Sequence, residues 1–290
     1  MSVWRSLLRA SRLTGARSAH REPAAPAVQG TPGRRAAKLE QTLREYVETL
    51  GADHSRSIAA RNNLASQYAQ MGRREAAIGQ FEEALADSVS ALGEEHPQTD
   101  VIRENLAWSY EDAARFTEAA AQWEILLQQR RQRLGSAVAE TVTARTRLAF
   151  CYRRTGQFDA AIVHFERALE DSTGAVSDEL EGLRIGLALA FLATDRFDDA
   201  AQQFRMVLAQ RHRRLGSRHY ETLVVQHRLG RTYLQAGRDA EAVETLRSAY
   251  RNCLAAAGDH EIRLLTMKVR RELAGAYRSV GRPRDAAALY

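Results

Sequence analysis

Apolar positions along this chain recur in a block of about 42 residues from Gly51 to the C-terminus. A leucine followed by a small residue appears as Leu64-Ala65, Leu106-Ala107, Leu148-Ala149, Leu187-Ala188, Leu229-Gly230 and Leu273-Ala274, at steps of 42, 42, 39, 42 and 44. Four residues after each leucine stands an aromatic: Tyr68, Tyr110, Tyr152, Phe191, Tyr233 and Tyr277. In the first block Ala60, Leu64, Tyr68 and Met71 trace one stripe of a 3.6-residue helix. The turn Gly51-Ala52-Asp53-His54-Ser55 precedes this helix A, with Asp53 or Ser55 as the expected cap. Gly72 ends it. A second helix, B, is predicted from about Arg74 with Ala77, Phe81, Ala84 and Leu85 facing inward. Its counterparts include Ala119/Trp123, Ala161/Phe165, Ala200/Phe204 and Ala242/Leu246.

Self-similarity at this period means a stack of helix pairs in which each unit buries its apolar face against its neighbours. The register gives a half unit at 30–50, then units at 51–92, 93–134, 135–176, 177–215, 216–257 and an incomplete one at 258–290. Residues 1–29 form a separate basic tail. Tyr290 falls at the register of Phe81, inside the sixth helix B, which leaves that end without a capping helix and open to dimerisation or fraying.

The order leucine, small residue, aromatic, glycine, alanine, aromatic resembles the tetratricopeptide repeat. The 42-residue length, with Asn62-Asn63-Leu64-Ala65 and Leu92-Gly93-Glu94-Glu95-His96-Pro97-Gln98-Thr99, is similar to the kinesin-light-chain type. The resemblance implies an all-α, right-handed superhelical solenoid that acts as a non-catalytic scaffold and holds a peptide in the concave groove lined by helix A. In that family an asparagine on the groove bonds the peptide backbone. Asn63 and Asn105 match it, while Arg147, Gly186, Arg228 and Glu272 take the place in later units.

On the same face Trp108, Phe150 and Leu189 share one position in three successive units, flanked by Arg147, Arg154, Arg228 and Arg231. Large apolar groups on a wet face mark a binding patch, here for a peptide with bulky apolar side chains and acidic neighbours. The competing reading is that these side chains pack across the groove or beneath the next helix.

Charge changes the picture only at the N-terminus. The net +6 lies within residues 1–35, where seven arginines face one acid, Glu22, so the repeats sum to zero. With no uniformly basic helix, no nucleic-acid partner is expected. In residues 1–21, Trp4, Leu7 and Leu8 against Arg5, Arg9 and Arg12 read as an inert leader, a transit segment or a membrane-surface anchor. The last two would make the chain a targeted organelle or membrane-surface assembly factor instead of a cytoplasmic adaptor. Lys38 and Lys268 are the two lysines beside 40 arginines, a bias like that of a GC-rich, actinobacterial genome. Cys151 and Cys253 stand at unrelated positions and read as small buried residues. No phosphate loop, HExxH or GxSxG occurs, and His54, His96, His219 and His260 recur at the turn before helix A. No catalytic group, cofactor or metal is expected.

Overall fold

The computed structural model describes residues 32–172, 177–256 and 260–290, with backbone alone for 177–179. The basic tail, and every expectation placed on it, lies outside these residues. Among the described residues there are thirteen α-helices and no strand. They fall into two compact units, one ending at Arg133 and one beginning at Leu134. The first holds α1 (Pro32–Leu50), α2 (Ser55–Gln70), α3 (Arg74–Leu92), α4 (Pro97–Asp112) and α5 (Phe116–Leu134). The second holds α6 (Ala139–Arg154), α7 (Phe158–Asp171), α8 (Ser177–Ala193), α9 (Phe197–Leu215), α10 (Tyr220–Gln235), α11 (Asp239–Ala255), α12 (His260–Ser279) and α13 (Pro283–Ala287).

The repeated apolar residues are the core. Phe81, Trp123, Phe165 and Phe204 of the B helices are buried, and so are the leucines and small residues of the A helices they meet. Ala77, Ala119, Ala161, Ala200 and Ala242 are fully buried and let the helices approach closely. Burying one such aromatic stabilises by roughly 2–3 kcal/mol. Consecutive helices pack in turn, α1 to α4 in the first unit and α6 to α13 in the second. The A helices α2 and α4, α6 and α8, and α10 and α12 also touch, so they line the inner side of each stack.

The turn from A to B repeats atom by atom. The residue after each turn donates its N–H to the carbonyl of the helix A aromatic: Arg73 to Tyr68 at 2.9 Å, Gln157 to Tyr152 at 2.8 Å, Arg282 to Tyr277 at 2.8 Å. This closure needs a left-handed residue just before the donor. Gly72, Gly156, Gly237 and Gly281 supply it, but Ala114 (φ 60°) and Asp195 (φ 56°) also adopt it. The arginine then folds over the aromatic ring, with Arg73 4.3 Å from Tyr68 and Arg196 4.3 Å from Phe191. Arg115, Arg238 and Arg282 do the same.

The turn from B to A corrects one expectation. Neither Asp53 nor Ser55 caps α2; His54 does, its Nδ1 accepting the Arg56 N–H at 3.1 Å. His96 and His219 cap α4 and α10 in the same way, while Val138 stands there before α6 with no side-chain cap. His260 is the first residue of α12 and belongs to a different position. His54, and not Asp53 or Ser55, stands at the N-cap, the position from which a side chain accepts the second helical N–H.

A second periodicity lies beneath the first. Asp100 and Glu181 occupy the register of Ile58 and Leu223, and Arg130 and Arg211 that of Ser88 and Cys253. They form buried pairs: Arg130 Nη2 to Asp100 Oδ2 at 2.7 Å, and Arg211 Nε to Glu181 Oε2 at 2.9 Å. Units with an apolar residue and a small one thus alternate with units holding an ion pair. Removing one partner of a buried pair strands the other charge. Glu181→Gln should therefore lower stability by about 3–5 kcal/mol in urea unfolding. Ala114→Gly should raise it by about 1 kcal/mol, because glycine takes the left-handed turn without strain. Asp195→Gly should gain less, since aspartate visits that region more readily.

Candidate functional site

Four arginines of the A helices are explained by the repeat. Arg61, Arg103, Arg145 and Arg184 share one position and bind acids or amides nearby. Arg61 pairs with Glu83 and lies 3.4 Å from Asp87. Arg103 pairs with Glu94 and donates to Gln122 at 2.9 Å. Arg145 pairs with Asp171, and Arg184 donates to Gln203 at 3.0 Å. Arginines in register are scaffold. Arg147, Arg153, Arg154, Arg228 and Arg231 are not in that register.

In the first unit, Asn63 is exposed, and Asn105 donates its Nδ2 to Asn62 Oδ1 at 3.0 Å. The second asparagine is thus engaged along the inner face of the stack. Trp108 is half-buried: its ring meets the buried Trp123 edge-on, with centroids 5.6 Å apart. Trp123 is held in turn by Glu111, which accepts its Nε1–H at 2.7 Å. Trp108 therefore divides its surface between core and solvent.

In the second unit, Phe150 is half-buried beneath arginines. The guanidinium carbons of Arg147, Arg153 and Arg154 lie 4.8, 5.4 and 6.0 Å from its ring centre. Leu189 is partly buried and packs on the core around Leu187 and Phe191. Arg231 is exposed, its Nε 3.4 Å from Glu272 Oε1, and Glu272 also meets His227 Nε2 at 2.6 Å. Gly186 contributes no side chain, and a Cβ there would lie 2.6 Å from the buried Phe165 ring. Arg153 belongs to the cluster although the face chosen from the sequence skips it. Its position one helical turn past Phe150 is the signal that finds it.

The electrostatics are lopsided. Burial pushes Arg147 down to about 10, with Cys151 opposing slightly. Burial, then Arg154 and Arg228, pushes Arg153 down to about 10. Burial, then Arg211 and Arg231, lowers Arg228. All three remain cations at neutral pH. Burial pushes the Cys151 thiol up to about 12 against the pull of Arg147 and Arg154, so it stays protonated and unreactive. Among the described residues no group of three or more His, Cys, Asp and Glu side chains could hold a metal ion. No described helix is long and apolar enough to cross a membrane.

Two family models described as tetratricopeptide repeat match the chain, one over residues 56–124 and 179–255 and the other over 141–178. No curated protein matches it. Among solved structures, the nearly identical TPR-like repeats of a Podosopora anserina protein assigned as a kinesin light chain align with TM-score 0.62 and 23% identity, over 71% of this chain and 99% of that one. BtubC (BKLC) from P. vanneervenii aligns with TM-score 0.60 and 20% identity, over 80% and 94%. MamA from Desulfovibrio magneticus, from residue 41 onward, gives 0.54 and 10%, over 69% and 97%. At these identities the likeness is one of fold.

The Phe165 ring fills the space beside Gly186, so Gly186→Ala should cost about 1–3 kcal/mol of stability. Equilibrium urea denaturation reads the change directly; an unchanged midpoint would mean the ring gives way freely.

Proposed function

The chain belongs to the tetratricopeptide repeat family, and from that premise we propose that it is a non-catalytic adaptor that holds a partner peptide against the inner faces of its A helices. The observation that carries this reading is Phe150, a large ring left half-open at the surface and ringed by three guanidinium groups. A half-open aromatic with guanidinium groups over its ring offers apolar surface beside positive charge, and aromatics and arginines dominate binding hot spots. The ligand chemistry it fits is a bulky apolar side chain with acidic neighbours. In the second unit, Arg147, Arg154, Phe150, Leu189, Arg228 and Arg231 would make these contacts. In the first, Asn63 and the open edge of Trp108 offer an amide and an apolar surface. The engaged Asn105 takes part only by exchanging its bond to Asn62 for one to the ligand.

Affinity capture from a lysate of the source cells tests the reading. Phe150→Ala should reduce recovery of the captured partner at least about tenfold, the effect of losing a single hot spot, with helical circular dichroism unchanged. Trp108→Ala should have a smaller effect on capture and some cost in stability, because half of its ring serves the core. Undiminished capture by Phe150→Ala would overturn the proposal. Loss of helicity in that variant would reassign Phe150 to the core.

A further inference from the structure

We infer that Arg153 of α6 and Arg228 of α10 together form a subsite for a phosphate-type dianion borne by a phosphorylated side chain of the bound peptide. The inference rests on the peptide-binding reading and names a group that the ligand carries.

The inner face of each stack has a recurring rung in which one A helix bonds the next. Asn105 closes it on Asn62 at 3.0 Å, and Glu272 closes it on His227 at 2.6 Å. Arg228 stands at the same position as Asn105 and Glu272, but its counterpart one unit back is Ile185, a buried apolar residue. The rung is therefore open there. In α8 the position between Arg147 and Arg228 is Gly186, whose side-chain space is taken by Phe165, so α8 offers no polar group in this register.

Among the described residues Arg153 is equally without an acid. Its Nε is buried and makes no hydrogen bond. Among the described residues no carboxylate reaches ion-pair distance of Arg153 or Arg228. The charged groups acting on Arg153 are Arg154 and Arg228, and those acting on Arg228 are Arg211 and Arg231. An arginine does not relieve such a field by releasing its proton. A partly desolvated cation in the field of a second, as Arg153 is in that of Arg228, is unfavourable until an anion is placed beside it.

The charge to be compensated selects the anion. A single carboxylate neutralises one guanidinium. A phosphorylated side chain carries nearly two negative charges at neutral pH and several acceptor oxygens, enough for two planar forks at once. Phe150 and Leu189 lie on the same inner face of α6 and α8, so apolar residues beside the phosphorylated one have seats of their own.

The test uses the full chain and defined probes at pH 7.5 and constant ionic strength. The peptides are acetyl-Phe-phosphoserine-Phe-amide and its unphosphorylated form, with inorganic phosphate and acetate as free anions, all measured by calorimetric titration. The phosphopeptide should bind at least about tenfold tighter than the serine peptide, and phosphate tighter than acetate. Arg153→Gln/Arg228→Gln should abolish that preference, and Arg213→Gln, which removes an exposed arginine of α9, should leave it intact. Arg153→Lys/Arg228→Lys should retain part of it, keeping charge without the fork. Because the glutamine substitutions remove desolvated charge, the double variant should unfold at the same temperature as the parent or higher.

Equal affinity for the two peptides, or a preference that survives in the double glutamine variant, would overturn the subsite. Binding of inorganic phosphate but not of the phosphopeptide would overturn the phosphorylated side chain as its source. If the subsite fails while Phe150→Ala still loses its captured partner, the adaptor reading stands. If the phosphopeptide preference holds but Phe150→Ala captures normally, the adaptor site alone is lost.

Discussion

Everything in this fold depends on how closely a B helix can seat its large side chain against the A helices beside it. Buried Phe81, Trp123, Phe165, Phe204 and Leu246 fill the same place in five units, each next to a fully buried alanine. Where the large group presses deepest, the facing A helix has surrendered its Cβ. Gly186 faces Phe165 and Gly230 faces Leu246, each with room for no more than hydrogen at 2.6 Å. These two glycines are answers to packing inside α8 and α10. A close-packed interior transmits such a demand to the next layer because it has no voids to absorb it.

That packing also settles which charges are spent. Helix pairs so closely seated bring fixed positions together in every unit, and most units fill them with arginine. One set binds acids and amides near its own helix pair; another lies over the aromatic of helix A after the left-handed turn. In two units the core itself carries an arginine with a buried carboxylate. A sequence with 40 arginines thus uses several of the described ones as mortar, and its repeats sum to zero charge. The cluster around Phe150 is unusual because its members lie outside these positions, and among the described residues no acid pairs with Arg153 or Arg228.

Much of the architecture is legible from periodicity. The leucine, small residue and aromatic of helix A, and the alanine and aromatic of helix B, mark the core because only recurring contacts demand recurring residues. Local chemistry was harder to read. Asp53 and Ser55 are better capping types than histidine, yet His54 caps, since it is the residue that stands at the N-cap. Ala114 and Asp195 stand where glycine is the rule, because the bond from the next N–H back to the aromatic's carbonyl holds the turn regardless.

By itself the sequence determined the helix pairs, their register and the set of side chains that face inward, all of which follow from spacing along one chain. It also isolated Trp108, Phe150 and Leu189 as departures from a polar face. Only the tertiary structure decided how those departures differ. Trp108 leans on Trp123, Leu189 joins the core of its unit, and Phe150 stays half-open under three arginines. It likewise decided which cations are compensated, closing Arg231 on Glu272 and leaving Arg228 opposite Ile185. Such pairings join residues some 40 positions apart. Spacing says which face a residue shares, while the neighbour that answers its charge is chosen by the packing of one helix on the next.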